Sequence, residues 1–245
     1  MQSLANEGTD KEVEIYRHRF SASEQRTRET TWKVLCAEFF QNFISDTDTV
    51  IDLGAGDGLF IRNIRAQRRI AVDLAAHERL IDTPDVEVHI IAATELATKF
   101  TDSADVIFMS NFLEHLPDKR TVIEVLEQCR ACLKPQGQLL VLQPNIRYVG
   151  PAYWDYIDHH VALTEHSLGE ALELAGFELV RVIPRFLPYT VKSRLGRITD
   201  LINPGAVIRA YLRLPWLWRL FGGQSFFAAR DTGNRETPDG REVTT

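Results

Sequence analysis

The sequence has few cysteines and no long apolar run. Its three cysteines, Cys36, Cys129 and Cys132, are too few and odd in number for a disulfide framework. Cys129 and Cys132 form a C-x-x-C pair without a second pair, and EVLEQCRACL puts both on one apolar helix face, which predicts buried thiols. No apolar run reaches about 18 residues, and the amino-terminus is polar and acidic. We therefore expect a cytoplasmic protein.

Basic residues are outnumbered, with 28 lysines and arginines against 34 acids and a formal net charge of −6. This balance argues against a nucleic-acid partner bound by bulk electrostatics. One segment differs, because residues 181–220 contain eight basic side chains and a single acid, Asp200. Together with Trp216, Trp218 and several leucines, these charges suit an anionic group on an apolar body, or a peripheral membrane contact. Core aromatics with solvated arginines are the alternative interpretation.

Strand and helix patterns alternate along most of the chain, and apolar runs such as VIFM and LLVL are continuous. This pattern predicts an α/β fold with a doubly wound, mostly parallel sheet and helices on both faces. The predicted strands cover 50–53, 70–74, 86–91, 106–110, 138–143, 177–184 and 224–230. The predicted helices cover 23–43, 58–67, 76–81, 118–133 and 164–175, and one or two short helices interrupted by Pro204 and Pro215 are expected later.

This pattern also predicts the domain organisation. Residues 1–44 form a helical segment or cap before the core, which covers 45–230. A basic, aromatic helical insertion lies at about 187–222. Residues 231–245 have almost no apolar content, which is typical of a disordered tail.

Three glycines follow the first predicted strand in TVIDLGAGDG, at positions 54, 56 and 58. A glycine turn between a strand and a helix lets the backbone approach a ligand closely. The dinucleotide pattern G-x-G-x-x-G would need a sixth-place glycine, but Leu59 stands there. The spacing therefore disfavours a nicotinamide-dependent oxidoreductase.

The turn D-x-G-x-G-x-G, which begins at Asp52, resembles motif I of the class I S-adenosylmethionine-dependent methyltransferases. IAVD, which ends at Asp73, is similar to the family's second strand, whose terminal acid binds the ribose hydroxyls. ADVIFMSNFLEHLPD and CLKPQGQLLVLQPN resemble the fourth strand with its loop and the fifth strand. The resemblance implies a Rossmann-like fold and S-adenosylmethionine as cofactor. It implies cofactor contacts by Asp52, Gly54, Ala55, Gly56, Asp73, Leu74, Ala93, Thr94, Asn111 and Phe112.

One position departs from the family pattern. Many relatives have an acid after the third strand that holds the adenine amino group, whereas Ala92 stands there. Adenine recognition is then expected from backbone groups near Ala93 and Thr94, or from elsewhere.

Histidines and aromatic side chains after the fourth and fifth strands are the candidates for acceptor chemistry. A hydroxyl acceptor must lose a proton, and histidine is a common base. The catalytic candidates are His115, His159 and His160, although packing of His115 on the cofactor or a loop is the alternative. The substrate candidates are Glu114, Asn145, Tyr153, Trp154, Tyr156 and Asp158. No metal is expected, because adjacent histidines in an extended segment point to opposite faces and His166 falls in the next helix.

The segment EIYRHRFSASEQR precedes the core. In the family such a segment often folds over the cofactor, so Tyr16, Arg17 and Arg19 are candidates to close the site. An exposed helix or arm is the alternative.

The predicted activity is methyl transfer to a small acceptor, first of all O-methylation of a sugar, a glycolipid or another secondary metabolite. The stretch from Tyr153 through RFLPYTVKSRL resembles a bacterial subgroup associated with glycan assembly. The acceptor would be a sugar that carries a phosphate or a lipid. A non-catalytic partner of a glycan-assembly enzyme, which binds S-adenosylmethionine or S-adenosylhomocysteine, is the second hypothesis.

Overall fold

The computed structural model describes residues 21–75, 77–189 and 203–233. Its strands are β1 (Thr49–Leu53), β2 (Arg68–Asp73), β3 (Val86–Ile90), β4 (Ala104–Ser110), β5 (Leu133–Pro144), β6 (Phe177–Ile183) and β7 (Gln224–Asp231). They form one seven-stranded sheet in the order β3-β2-β1-β4-β5-β7-β6. Neighbours are parallel from β3 to β5, and β7 is antiparallel to both β5 and β6. The predicted mostly parallel, doubly wound sheet is confirmed.

The helices surround this sheet. They are α1 (Ala22–Glu38), α2 (Glu78–Ile81), α3 (Ala97–Phe100), α4 (Lys119–Cys132), α5 (Ile146–Val149), α6 (Glu165–Leu174), α7 (Pro204–Arg213) and α8 (Pro215–Phe221). Single 3₁₀ turns occur at Phe40–Phe43, Ala93–Glu95, Leu113–His115 and Gly150–Asp155.

Side-chain caps fix where the two longest crossover helices begin. The Asp118 carboxylate accepts a hydrogen bond from the Thr121 amide at 2.8 Å, so α4 begins one residue after it. Thr164 and Ser167 cap each other reciprocally at the start of α6. Both helices therefore lie where the sequence predicts them, with the predicted first residue acting as the cap.

The helix predicted over 58–67 is wrong, because this segment forms turns. The Arg62 amide donates to the Gly58 carbonyl at 3.0 Å, as in a helix. The next residue departs from this pattern, because the Asn63 side chain, rather than its backbone amide, donates to the Leu59 carbonyl at 2.8 Å. The Asn63 amide bonds Phe60 instead, at 2.9 Å. Competition by this side chain interrupts a regular helix.

Pro204 and Pro215 begin helices rather than interrupt them, which corrects the sequence-based expectation. Each proline is the first residue of its helix, α7 or α8. This is the position where a missing N–H costs nothing and the fixed φ angle suits the helix. Residues 190–202 of the predicted insertion lie outside the described residues.

The core has one layer on each face of the sheet. On one face Ile51 and Leu53 pack with residues of α4 and α6, including Cys129 and Cys132. The predicted burial of both thiols is confirmed, and both are free. On the opposite face, side chains that alternate with these along the strands pack with α1 and α7. A cluster of aromatic rings dominates that layer: Phe39, Phe40, Phe60, Phe108, Phe186 and Phe226.

The end of the sheet corrects the predicted boundary of the tail. Asp231, assigned to the tail by its polar surroundings, is the last residue of β7 and is buried. Its carboxylate accepts a hydrogen bond from Arg130 Nε of α4 at 2.8 Å. Residues 234–245 lie outside the described part, as do Tyr16, Arg17 and Arg19. Among the described residues, no helix is both long and apolar enough to cross a membrane.

Candidate functional site

The site lies at the edge of the sheet where the parallel strands end. The chain leaves β1 towards β2 and β3 on one side, and later continues from β4 to β5 on the other. Such a reversal opens a crevice beyond the carboxyl ends of the central strands, where ligands bind in open α/β sheets. The residues after β1, β2, β4 and β5 therefore face one crevice.

The glycine turn after β1 has a backbone that ordinary residues rarely adopt. Gly54, Gly56 and Gly58 have φ angles of +70°, +53° and +73°. The Gly54 and Ala55 amides both donate to the Val72 carbonyl of β2, at 2.8 and 3.2 Å. These bonds fix the turn against the neighbouring strand.

Two of these glycines are also required by close packing. A Cβ on Gly54 would lie 2.4 Å from Phe112 Cδ2, and one on Gly58 would lie 2.2 Å from Leu80 Cδ2. Phe112 follows β4, so its ring crosses from the β4 loop onto the glycine turn. The turn and the β4 loop thus form one continuous wall.

Two buried carboxyl groups lie at the turn, Asp52 in β1 just before it and Asp57 between its last two glycines. The Asp52 carboxyl accepts from the Ile61 amide at 3.3 Å, and burial, reinforced by the nearby Asp73 and Asp57 charges, raises its pKa to about 8. Asp57 accepts from Gln25 Nε2 at 2.8 Å and pairs with Arg28 at 3.3 Å. Both partners belong to α1, so this helix is tied directly to the glycine turn.

Asp73 ends β2 beside the same turn. One carboxylate oxygen accepts from the Gly56 amide at 2.8 Å and the other from the Ala75 amide at 3.3 Å. Leu74, the next residue, is exposed. A carboxylate and an adjacent apolar side chain therefore border the crevice next to the turn.

The segment after β3 places backbone groups, and no carboxylate, at the edge of the crevice beside Asp73. The Ile91 amide donates to the Asp73 carbonyl at 3.2 Å, which joins the ends of β2 and β3. Ala92 precedes the 3₁₀ turn that contains Ala93 and Thr94, and both of these are half-buried. Ala92 thus offers no side-chain acceptor on this side of the crevice.

Asn111 follows β4 in a left-handed conformation, with φ of +49°. Its backbone amide donates to the Leu142 carbonyl at 2.9 Å, and its side-chain amide nitrogen donates to Ser110 Oγ at 3.2 Å. Its Oδ1 is buried and has no hydrogen-bond partner within the described residues. A buried acceptor of this kind is costly unless a ligand or water satisfies it.

Glu114 and His115 lie in the 3₁₀ turn that follows. Glu114 is buried; it accepts from Gln143 Nε2 at 3.0 Å, and its backbone carbonyl accepts from the His160 amide at 2.8 Å. Burial raises the pKa of Glu114, and the charge of His115 partly offsets this. His115 Nδ1 lies 2.9 Å from the Asp158 carbonyl, which can only accept, so Nδ1 carries a proton and, in the neutral ring, Nε2 is the acceptor.

The segment after β5 wraps around this pair. His159 is buried, stacks on Tyr156 at 5.1 Å between centroids and meets His115 edge to face at the same separation. His160 is exposed, as is Trp154. His159 and His160 therefore point in different directions, as the sequence predicts.

Two predicted substrate residues lie inside the protein. Tyr153 is fully buried, and its hydroxyl donates to the Val161 carbonyl. Asn145 is buried and its Nδ2 donates to Glu165 at 2.7 Å and to Ser225 at 2.9 Å. These contacts position the loops around the crevice.

Glu114, His115 and His159 place ligand atoms within 4.8 Å of one another. These are not the histidines that the sequence analysis considered together as metal ligands. His166, one of those, is exposed on α6 and pairs with Glu165 at 3.5 Å. The proximity arises from folding the 113–115 turn against residues 158–161, which no local spacing indicates.

Several arginines of the basic segment, residues 181–220, make contacts within the fold. Arg181 lies over Phe39, 5.7 Å from its ring centroid, and Arg209 bonds Glu38 at 2.6 Å. Arg185 lies over Tyr148 at 4.7 Å and donates to the Gly222 carbonyl at 3.0 Å. Lys192, Arg194 and Arg197 lie outside the described residues, whereas Arg213 and Arg219 are exposed.

Sequence reasoning missed three groups that support the site. Gln25 and Arg28 hold Asp57, and Gln143 holds Glu114. Only Gln143 carried a usable signal, since it is a polar residue at the end of the apolar run LLVLQ. The two α1 residues carry no such signal, because a polar helix face is ordinarily solvated.

A doubly wound sheet with a glycine turn at its switch point and an acid at the end of β2 is the architecture of the class I methyltransferases. The sequence profile of the family described as "Methyltransferase domain" matches residues 23–182. The chain belongs to this family and is a methyltransferase, which confirms the predicted enzyme class.

Solved structures agree on the fold. A SAM-dependent methyltransferase from Archaeoglobus fulgidus is 22% identical, with a TM-score of 0.59 over 89% of this chain and 97% of that one. The 1,6-didemethyltoxoflavin-N1-methyltransferase of Burkholderia thailandensis, solved with bound 1,6-didemethyltoxoflavin and S-adenosylhomocysteine, is 16% identical, with a TM-score of 0.58 over 94% of this chain and 89% of that one. The [4+2]-cyclase SpnF is 17% identical, with a TM-score of 0.55 over 86% and 83%. No curated protein matches in sequence.

Proposed function

We propose that this methyltransferase transfers the methyl group of S-adenosylmethionine to a hydroxyl group of a small acceptor, namely a sugar, a glycolipid or another secondary metabolite. The observation that carries the proposal is the His115 ring, whose Nδ1 is held by Asp158, so that Nε2 is the nitrogen of the neutral ring that can take up a proton. A hydroxyl must lose a proton when it is methylated, and this ring can accept it.

The residues around the glycine turn fit the cofactor. Gly54 leaves no room for a side chain, Asp73 offers carboxylate oxygens suited to a ribose diol, and Leu74 offers an apolar surface. The buried Asn111 Oδ1 is an acceptor suited to the cofactor's ammonium group. When bound, the cofactor supplies a methyl group that its sulfonium already activates. We therefore propose that the predicted donor-side residues from Asp52 to Phe112 hold it.

The chain's own task is to align the acceptor and take up its proton. Asp158 supports His115 twice, through its carbonyl at 2.9 Å and its carboxylate at 3.4 Å. Such support fixes the ring and favours a positive charge on it after proton transfer. Glu114, buried on the other side, adds a second acid near the same ring.

Aromatic and basic side chains nearby favour a sugar. Trp154 is exposed and Tyr156 half-buried, which provides faces for stacking against a sugar ring. Tyr153 and Asn145 hold these loops from inside. An acceptor that carries a phosphate or a lipid would suit the arginines of the basic segment.

The test is transfer of labelled methyl from S-adenosylmethionine to a panel of sugars, sugar phosphates and glycolipids. His115→Ala and His160→Ala are assayed separately, with the exposed His166→Ala as the matched control. We expect kcat to fall about 100-fold or more for His115→Ala and to change little for the control. Equal kcat in all three variants would exclude His115 as the base, and transfer only to amines would exclude the hydroxyl acceptor.

Calorimetry with S-adenosylmethionine and S-adenosylhomocysteine separates binding from turnover. The His115 variant should bind both as wild type does. A loss of cofactor affinity in this variant would instead support the alternative in which His115 packs against the cofactor.

A further inference from the structure

Helix α8 exposes an apolar surface that the proposed reaction does not use. Four large apolar side chains at its start and on its outer side are strongly exposed: Leu214 (40%), Trp216 (58%), Leu220 (61%) and Phe221 (43%). Trp216 and Leu220 are four residues apart and share one helix face. We call these four residues the α8 patch.

The opposite side of the same helix is anchored to the protein. Leu217 and Trp218 pack against the aromatic core layer, and Trp218 Nε1 donates to the Tyr211 carbonyl at 2.9 Å. Arg185 donates to the Leu220 carbonyl at 3.1 Å. The α8 patch is therefore the outer face of a docked helix, with its inner face already buried.

The charge around the α8 patch has one sign. Residues 203–223 contain Arg209, Arg213 and Arg219 and no acid. Arg209 pairs with Glu38, whereas the structure gives neither Arg213 nor Arg219 an ion pair with a described residue. An acidic protein with net charge −6 thus presents two exposed arginines beside its exposed apolar helix face.

The position of the patch connects it to the site. Helix α8 ends directly before β7, whose first residue pairs with Pro144 at the carboxyl end of β5. Arg185, which bonds the end of α8, also lies over Tyr148 in the loop after β5. The patch thus adjoins the edge of the sheet that carries the acceptor half of the crevice.

We propose that the α8 patch, flanked by Arg213 and Arg219, binds the surface of an anionic lipid bilayer. Tryptophan and leucine side chains enter the interface between headgroups and acyl chains, and arginines contact the anionic headgroups. Charge complementarity selects this occupant over a neutral apolar partner. The binding requires neither cofactor nor acceptor, so it goes beyond the proposed reaction.

The experiment is flotation of the full chain with phosphatidylcholine vesicles, with and without about one quarter phosphatidylglycerol. We expect about tenfold or stronger binding to the anionic vesicles, decreasing with added salt. Trp216→Ser with Leu220→Ser, and separately Arg213→Glu with Arg219→Glu, should each weaken it about tenfold or more. Leu174→Ser, which removes an exposed leucine of α6, is the matched control and should bind as wild type does.

A second measurement locates the contact without weakening it. Brominated lipids in the anionic vesicles should quench tryptophan fluorescence in wild type, and this quenching should be largely lost in Trp216→Phe but kept in Trp154→Phe, which changes the other strongly exposed tryptophan. Absence of wild-type binding to anionic vesicles, or unchanged binding of both double variants, would overturn the proposal. A dimer in sedimentation that the Trp216 and Leu220 changes dissociate, without vesicle binding, would assign the patch to a second copy instead.

Discussion

The two halves of the crevice are built in different ways. The proposed donor half comes mainly from one continuous stretch, β1 to the turn after β3, with Asn111 and Phe112 added from the loop after β4, and backbone hydrogen bonds such as Gly54 to Val72 hold its glycine turn. The acceptor half comes from the loops after β4 and β5, and side-chain contacts such as Gln143 to Glu114 hold it. A site held by its backbone requires particular residues, such as glycine, at fixed positions. A site held by side chains on loops can change its residues with the substrate.

A buried carboxyl in each half shows the same difference. Burial raises the pKa of both Asp52 and Glu114. The neighbours of Asp52 are the acids Asp73 and Asp57, which raise its pKa further, whereas His115 beside Glu114 lowers the pKa of that group. Both buried carboxyls therefore favour the neutral form, and only Glu114 has a histidine beside it that partly offsets this effect of burial.

The largest effect is expected from Gly54→Ala. The new Cβ would lie 2.4 Å from the Phe112 ring and would occupy a φ of +70°, so the turn and the β4 loop must separate. We expect S-adenosylmethionine affinity to fall at least about 100-fold in calorimetry. Gly233→Ala is the control, because its φ of +77° is similar but nothing lies within 4 Å of the added Cβ. Equal affinity in both variants would contradict a donor half held by this packing.

The next effect is expected from Asp73→Ala. This change removes the carboxylate proposed for the ribose and its bond to the Gly56 amide. Loss of hydrogen bonds to a charged group should weaken cofactor affinity about tenfold to 100-fold. Asp82→Ala, an exposed acid after α2, should leave the affinity unchanged. Wild-type affinity in Asp73→Ala would remove the ribose assignment.

Asn145→Ala tests whether the acceptor half depends on side-chain contacts. This change removes the buried amide that donates to both Ser225 and Glu165 and leaves a cavity, which should reduce the free energy of unfolding by about 2 to 4 kcal/mol. Asn42→Ala, an exposed asparagine, should cost less than about 1 kcal/mol. Denaturant unfolding measures both, and an equally small cost for Asn145→Ala would show that this half does not rely on its buried network.

The glycine turn after β1 and the place of Asp73 at the end of β2 are predictable, because the glycines, Asp52 and Asp73 occur at fixed spacings in one stretch. The strands are also predictable, since continuous apolar runs mark a sheet covered on both faces. The acceptor half is less predictable, because the contact of His115 with Asp158 joins residues 43 positions apart. The predicted helix over 58–67 fails for a local reason, namely the Asn63 side chain that bonds Leu59.

The smallest effect concerns the pH dependence of stability at Asp52. Its pKa is about 8 in the folded protein against an ordinary value of 3.8, so the folded state retains a proton that the unfolded chain releases. The stability from this group is fully present below about pH 4 and is lost as the pH rises through about 8. In Asp52→Asn the side chain cannot ionise, so this loss of stability with rising pH does not occur. Its Tm relative to wild type should rise between about pH 5 and about pH 9, by about 2 to 4 °C for each kcal/mol of stability that the wild type loses. A Tm difference that stays constant over this range would show that Asp52 is ionised in the fold, and the contrast between the two buried carboxyls would then disappear.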